Sequence, residues 1–256
     1  MLHDYHVHSN YSDGRFLFQM LQSAEQAGLK GVGFADHCNV SDRERMQDLK
    51  HLLGFNLDQT YDRRLRAIRS LSRQFDIEIY NAVEMDYDPD DHGAIRNFFN
   101  QTDFDYTIGS VHHLEEVNVH IESYFAKKSE AERRKLVDEY FEKLVSLAQS
   151  ELFDIAAHVD LLERNPAFRD LATDDHYHAA ARAFKRSRTV PEINAGRVLT
   201  DYGKFHPVPR FLDVLLEHEV RFTVGSDSHR PEEIAPRVKK LREFFEEQEL
   251  DPLYVV

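Results

Sequence analysis

Six short apolar or β-branched runs in this chain end in side chains that bind metals: His6-Val7-His8, Asp36-His37, Glu84, His112-His113, His158 and Asp227-Ser228-His229. Imidazole and carboxylate together suit Zn, Mn or Fe, and a single cysteine, Cys38, cannot build a thiolate structural site. In His6-x-His8 the two-residue period of a strand sends both rings to the same side, so both can reach one ion. Asp227-x-His229 repeats that spacing. Glu84 follows the apolar pair Ala82-Val83, where an isolated charge is costly and a carboxylate bridging two cations is better accommodated. A single histidine at a strand end is usually a hydrogen-bonded structural residue, but here nearly every strand end carries a ligand type. Asp36 is expected to orient His37, and Cys38 to pack as a small apolar residue. His51, His92, His176, His178 and His218 lack strand-end placement and are read as solvated.

Those residues need a scaffold that brings them together. Strands are expected near Leu2–Val7, Gly31–Phe34, Ile77–Val83, Asp105–Ser110, Asp154–Ala157, Thr189–Ile193 and Arg221–Gly225. Between them the pattern changes to helical. Phe16–Ala27 follows Ser12-Asp13-Gly14 and stops at Gly28, a C-terminal cap. Leu57, Tyr61, Leu65, Ile68, Leu71 and Phe75 form one apolar stripe, and Ser129 with Glu132 makes a capping box before another. Further helices follow Asp174, Pro207 and Pro231. Repeated strand–helix alternation implies a mainly parallel sheet, whose C-terminal strand ends share one face. About seven such units without a linker fit a closed or distorted α/β barrel, a single domain over 1–256, better than two small domains. A doubly wound open sheet is the rival.

Two arginines lie in loops on the same face: Arg164, after His158-Val159-Asp160-Leu161-Leu162-Glu163, and Arg197, after Asn194-Ala195-Gly196. An isolated loop arginine is ordinarily a surface residue, but beside a metal cluster a guanidinium fork is the natural partner for phosphate oxygens.

Composition narrows the function classes. A formal net charge of -14 argues against a nucleic-acid-binding face, because such faces need clustered Lys and Arg. No apolar run approaches the roughly 20 residues needed to cross a bilayer, and the N-terminus has no basic region leading into an apolar stretch. The default expectation is the cytoplasm.

At this point the sequence resembles the PHP (polymerase and histidinol phosphatase) family, and within it the histidinol-phosphate phosphatases. The matching segments are Asp4-Tyr5-His6-Val7-His8-Ser9 with Ser12-Asp13-Gly14, Gly33-Phe34-Ala35-Asp36-His37, Val83-Glu84-Met85-Asp86-Tyr87, Ile108-Gly109-Ser110-Val111-His112, Ala157-His158-Val159-Asp160, Glu192-Ile193-Asn194-Ala195-Gly196-Arg197 and Gly225-Ser226-Asp227-Ser228-His229-Arg230-Pro231. The resemblance implies a distorted (β/α)7 barrel with two or three divalent transition metals. It implies that His6, His8, Glu84 and Asp227 hold one ion, Glu84, His112 and His158 a second, and Asp13, His37 and His229 a third. The place of Asp13 rests on the resemblance alone. Arg164 and Arg197 fall where those phosphatases bind phosphate. Two stretches depart from the pattern: Leu114–Phe125, with neighbouring His113 and with His120 and Tyr124, and the segment from Val198 through His206 to Pro207.

The expected reaction is metal-assisted hydrolysis of a small phosphate monoester, with L-histidinol phosphate the leading substrate. Arg164 and Arg197 would neutralise the phosphoryl oxygens, and Asp227 or His229 would pass a proton to the leaving alkoxide. Rival readings are a family member acting on nucleotides, sugar phosphates or nucleic-acid ends, and a non-enzymatic module with a vestigial site. Against the last, no ligand position carries a non-ligating residue.

Overall fold

In a computed structural model that describes residues 3–256, seven strands lie side by side and all run parallel; Leu2, expected to open the first strand, is outside the described residues. In chain order the elements are β1 (His3–Val7), α1 (Leu17–Gln26), β2 (Gly31–Cys38), α2 (Glu44–Leu53), α3 (Leu57–Leu71), β3 (Glu78–Asp86), α4 (His92–Phe99), β4 (Tyr106–Ser110), β5 (His113–Leu114), β6 (Val117–Asn118), α5 (Glu122–Phe125) and α6 (Glu130–Gln149). They continue with β7 (Ile155–Ala156), α7 (Asp174–Arg186), β8 (Val190–Asn194), α8 (Pro209–Glu217), β9 (Thr223–Gly225) and α9 (Pro231–Glu247). The large sheet has the order β1-β2-β3-β4-β7-β8-β9. Its two edges then meet: Val7 bridges Ser228 in parallel, Asp227 N–H donates to the His6 carbonyl at 2.7 Å and His8 N–H to the Ser228 carbonyl at 2.9 Å. That contact decides for a nearly closed barrel over the doubly wound sheet.

The strands that carry the chemistry run further than the apolar pattern suggests. β2 continues from Phe34 through Asp36 and His37 to Cys38, and β3 continues past Val83 to Asp86, with Asp36 opposite Val83 and His37 opposite Glu84. Polar residues normally end an apolar run; here their side chains find partners on either side of the sheet, so the ladder continues through them. β7 and β9 are shorter than expected, although backbone bonds at Asp154 and Ala157 extend the ladder beyond β7.

The outer helices bury the anticipated stripes. α1 packs Leu17, Met20, Leu21 and Ala24 inward and ends before Gly28, whose φ of 73° suits glycine. Ser129 and Glu132 form the capping box of α6, which buries Leu136, Val137, Tyr140, Phe141 and Leu144. Each such side chain contributes roughly 1.5–3 kcal/mol when fully buried. α3 stops at Leu71, so Phe75 lies past its end, and Arg64 is wholly buried in the middle of its apolar stripe. No helix among the described residues is long and apolar enough to cross a membrane.

Candidate metal centre

Glu84 sits at the bottom of the barrel mouth with no solvent exposure, ringed by imidazoles. Its Oε2 lies 2.8 Å from His37 Nδ1, 3.2 Å from His6 Nε2 and 3.6 Å from His8 Nε2. Its Oε1 lies 2.9 Å from His158 Nε2 and 3.3 Å from His112 Nε2. Neither oxygen has a partner in hydrogen-bond geometry, and neither does His37 Nδ1. Buried polar atoms are rarely left so. Nitrogens and oxygens packed at contact distance, with lone pairs facing a common gap, suit a cation that accepts them all.

Asp227 forms the next wall. Its Oδ1 is 3.3 Å from His8, 3.7 Å from His229 and 4.0 Å from His6. Asp13, on the loop after β1, reaches His229 at 3.3 Å, His8 at 3.8 Å and His37 at 3.9 Å. Three groups therefore have ligand atoms within 4.8 Å of one another: His8, Asp13, His37 and His229; His6, His8 and Asp227; and His37, Glu84 and His112. All nine residues singled out in the sequence meet here, Asp13 included. The grouping differs in detail from the one implied by the resemblance, since His8 also joins the Asp13 cluster and His37 also touches Glu84.

The local backbone is bent to make this possible. Asp227 and His158 hold positive φ of 54° and 26°, conformations that cost energy outside glycine and cluster at functional sites. A Cβ on Gly225 would stand 2.1 Å from Glu192 Oε2 and 2.8 Å from His6 Cβ, so only glycine lets β9 approach β1 and β8 here.

A second layer fixes the rings. Glu192, fully buried on β8, accepts from His6 Nδ1 at 3.0 Å, from Asn194 Nδ2 at 2.7 Å and from His158 N–H at 3.2 Å. It leaves His6 Nε2 facing the gap, the usual second-layer arrangement for a metal-binding histidine. Asp86 does the same for the neighbouring pair, 3.4 Å from His112 Nδ1 and 2.7 Å from His113 Nδ1. Sequence reasoning missed Glu192 and Asp86, although Glu192 carries the signal that exposed Glu84, a carboxylate inside an apolar strand.

Asp36 corrects an expectation. It does not orient His37, because consecutive strand residues point to opposite faces; it bonds Ser9, Ser12 and Arg64 behind the sheet. Cys38 is buried, as its packing role requires. Four histidines read as solvated have partners: His92 accepts from Arg96 at 2.9 Å within its own helix, His176 pairs with Asp138 at 2.9 Å and stacks on Phe141, and His178 Nδ1 meets His218 Nε2 at 3.0 Å. The helix-to-helix contacts among these leave no mark in local sequence.

Charge follows this geometry. Burial pulls the His6 imidazole down, but Glu192 and Glu84 override it and hold the ring well above its ordinary range. Burial likewise opposes, and the His37, His6 and His112 rings outweigh it, in holding the Glu84 carboxyl well below its usual range. His112 rises to about 10 against burial, through Glu84 and Asp86. His8 and His158 are pushed down to about 4, chiefly by burial.

Above the floor lies a cavity of about 170 Å³. Arg164 and Arg197 line it, together with Leu53, Phe55, Asn118 and His120. Arg164 belongs to a 3-10 turn at Leu161–Arg164 and is only partly exposed, its side chain at 9%, unlike a surface loop arginine; its Nη2 is 3.5 Å from Asp227 Oδ2. Arg197 is exposed and, among the described residues, forms no ion pair. The divergent stretch Leu114–Phe125 folds as the β5–β6 hairpin and α5, and delivers Asn118 and His120 to the cavity.

A family model for the PHP domain matches residues 4–196. The chain belongs to the PHP family. Two curated PHP relatives are each described as a probable histidinol-phosphatase. The one from Deinococcus radiodurans is 25% identical over 228 residues, covering 87% of this chain and 85% of the relative. The one from Schizosaccharomyces pombe is 24% identical over 261 residues, covering 90% and 81%. Among solved structures, this PHP fold matches histidinol phosphate phosphatase from Lactococcus lactis, complexed with zinc, L-histidinol and phosphate, with a TM-score of 0.77 at 20% identity over 98% of this chain and 95% of that one. It also matches a putative histidinol phosphatase from Listeria monocytogenes, with a TM-score of 0.80 at 15% identity over 93% and 99%. Both confirm the PHP barrel.

Proposed function

We propose that this PHP protein is a metal-dependent phosphoric monoester hydrolase that converts L-histidinol phosphate to histidinol and phosphate, as part of histidine biosynthesis in the cytoplasm. One observation carries the metal reading: a wholly buried carboxylate, Glu84, meets five imidazoles without a hydrogen bond to either oxygen. His6, His8, Glu84 and Asp227 would hold one divalent ion, Glu84, His112 and His158 a second, and Asp13, His37 and His229 a third. Two or three such ions of Zn, Mn or Fe supply Lewis acidity toward water and the phosphoryl group when bound.

The chain's own groups complete the reaction. Arg164, pinned at the cavity wall, and Arg197, reaching in from its rim, neutralise the phosphoryl oxygens as charge builds. Of the two residues weighed as proton donor, His229 is the better placed. Its side chain is 29% exposed and opens into the cavity, so it could pass a proton in a two-metal form in which it holds no third ion. Asp227 is held well below the usual carboxylate range: burial pushes it upward, and His8, His6 and His229 outweigh that. It therefore keeps no proton to give. Phe55, stacked on His37 with centroids 4.1 Å apart, joins Leu53, Asn118 and His120 as the wall for the organic half of the ester. An aromatic heterocycle such as imidazole suits that mixture of aromatic faces and polar edges.

Likeness in name among relatives of about 25% identity supports the substrate, and the divergent hairpin leaves nucleotides and sugar phosphates as the second reading. The test joins elemental analysis of purified protein to phosphate release from L-histidinol phosphate, nucleotides and sugar phosphates. The expected outcome is two or three equivalents of metal and the highest kcat/KM for L-histidinol phosphate. A preference for another ester would move the substrate assignment; stoichiometric metal with no hydrolysis would revive the non-enzymatic module.

A further inference from the structure

His206 is fully buried, 42 residues from Arg164 in sequence, and belongs to a segment that departs from the family pattern. Its Nε2 lies 2.7 Å from Arg164 Nε, and its Nδ1 contacts Asp160 Oδ1. An arginine Nε–H can only donate, so Nε2 must accept and Nδ1 must carry the proton, which it gives to Asp160. The other Asp160 oxygen is occupied by Val208 N–H at 2.6 Å. Tyr202 lies nearly parallel to the His206 ring, at 12°. The chain Asp160–His206–Arg164 thus holds one edge of the guanidinium. Asn194 Oδ1, 3.4 Å from Arg164 Nη2, helps fix its plane.

The backbone of the same residue closes the loop that carries Arg197. Asn194 N–H donates to the His206 carbonyl at 2.9 Å, and His206 N–H returns to the Asn194 carbonyl at 3.1 Å. The excursion from Ala195 to Phe205 begins and ends at that pair.

We propose that His206 is a positioning residue: its ring, in the tautomer set by Asp160, aims Arg164 at the phosphoryl group, and its backbone anchors the loop that presents Arg197. The assignment rests on the phosphatase reading above and adds to it the device that sets the phosphate clamp.

Asp160→Asn tests it without removing any ring or cation. Val208 N–H requires the amide oxygen, so the amide NH2 faces His206 Nδ1 and drives the ring proton to Nε2, against the Arg164 donor. In metal-loaded protein, nitrogen-15 NMR of the His206 ring should report the switched tautomer. Calorimetric titration with inorganic phosphate should show affinity weakened about tenfold, the scale of one hydrogen bond to a charged group. KM for L-histidinol phosphate should rise by a similar factor while kcat changes less, and metal content should match native. His206→Gln, whose side-chain oxygen again offers an acceptor to Arg164, should restore phosphate affinity to within about threefold of native. If Asp160→Asn does not fold, His206→Phe, which keeps a ring against Tyr202 but no acceptor, takes its place with the same expectation. Phosphate affinity within twofold of native in the acceptor-deficient variant overturns the proposal. So does an equal loss of phosphate and metal in that variant and in His206→Gln, which would make the residue merely structural. Native protein that binds no phosphate overturns the phosphatase reading and this assignment with it; native binding undisturbed by Asp160→Asn overturns this assignment alone.

Discussion

Asp36 and His37 are neighbours on β2, yet they belong to two differently built clusters of buried charge. Behind the sheet, under α3, Asp36 accepts from Ser9 N–H at 2.6 Å, Ser9 Oγ at 2.8 Å, Ser12 Oγ at 2.9 Å and Arg64 Nη1 at 3.0 Å. Arg64 gives its remaining terminal N–H groups to Asn81 and to the carbonyls of Phe34 and Ala82. Inside the barrel, His37 faces Glu84, and there acceptors crowd together without donors in geometry to satisfy them. The outer cluster satisfies both Asp36 oxygens and every terminal N–H of Arg64, leaving only Arg64 Nε without a partner, and it serves the fold. The inner one leaves buried acceptors unpaired, which the proposed cations would satisfy. Burial by itself does not separate structural charge from functional charge; the match of donors to acceptors does.

Breaking each cluster in turn should give opposite phenotypes. The largest effect is expected from Glu84→Gln: bound metal and phosphatase activity should disappear together, with turnover down on the order of a thousandfold or more, about 4 kcal/mol in the barrier. Circular dichroism should still report a folded barrel. Full turnover by a metal-depleted Glu84→Gln protein would end the bridging role. Arg64→Leu should do the reverse. It leaves Asp36 buried without its cation and should cost roughly 3–5 kcal/mol of stability, read by denaturant titration. The protein that remains folded should keep its metal count and its activity; loss of metal before loss of fold would erase the distinction between the clusters.

A smaller effect sharpens it. His112 and His229 are raised to about 10 and about 9 because Glu84, Asp86 and Asp13 outweigh their burial. In metal-free protein these raised histidines contribute stability that is fully present below about pH 6.5, their unfolded value, and is lost as pH rises toward 9–10. A metal needs the same nitrogens deprotonated, so its affinity rises across that window. Thermal midpoints of metal-free protein should therefore fall with pH while zinc affinity climbs. Parallel slopes would contradict a site in which protons and metal compete.

Much of this was legible in the sequence because strand ends of a parallel barrel share a face, so ligands such as His6, His158 and Asp227 announce themselves one strand at a time. Glu84 was legible from its setting among apolar neighbours. What stayed hidden depends on which elements touch. Arg64 sits in an arginine-rich helix where Arg63, Arg66 and Arg69 are exposed, and nothing local marks it as the buried one. Glu192 orients His6 across 186 residues of chain, and His206 reaches Arg164 only because the loop after β8 folds back. The β5–β6 hairpin has two-residue strands, too short for any alternation to appear. Asp13 offered no strand-end signal, since it lies on the loop following β1.

The seam between β1 and β9 joins the first and last strands among the described residues. His6 and Asp227 share it, so the centre is incomplete on a ribosome-bound chain until β9 and His229 have emerged. Early βα units can gather and bury their apolar faces during synthesis, but capture of the full set of ions would wait for Asp227 and His229. A truncated translation product would therefore retain many of the ligand side chains and yet lack the wall that Asp227 and His229 supply.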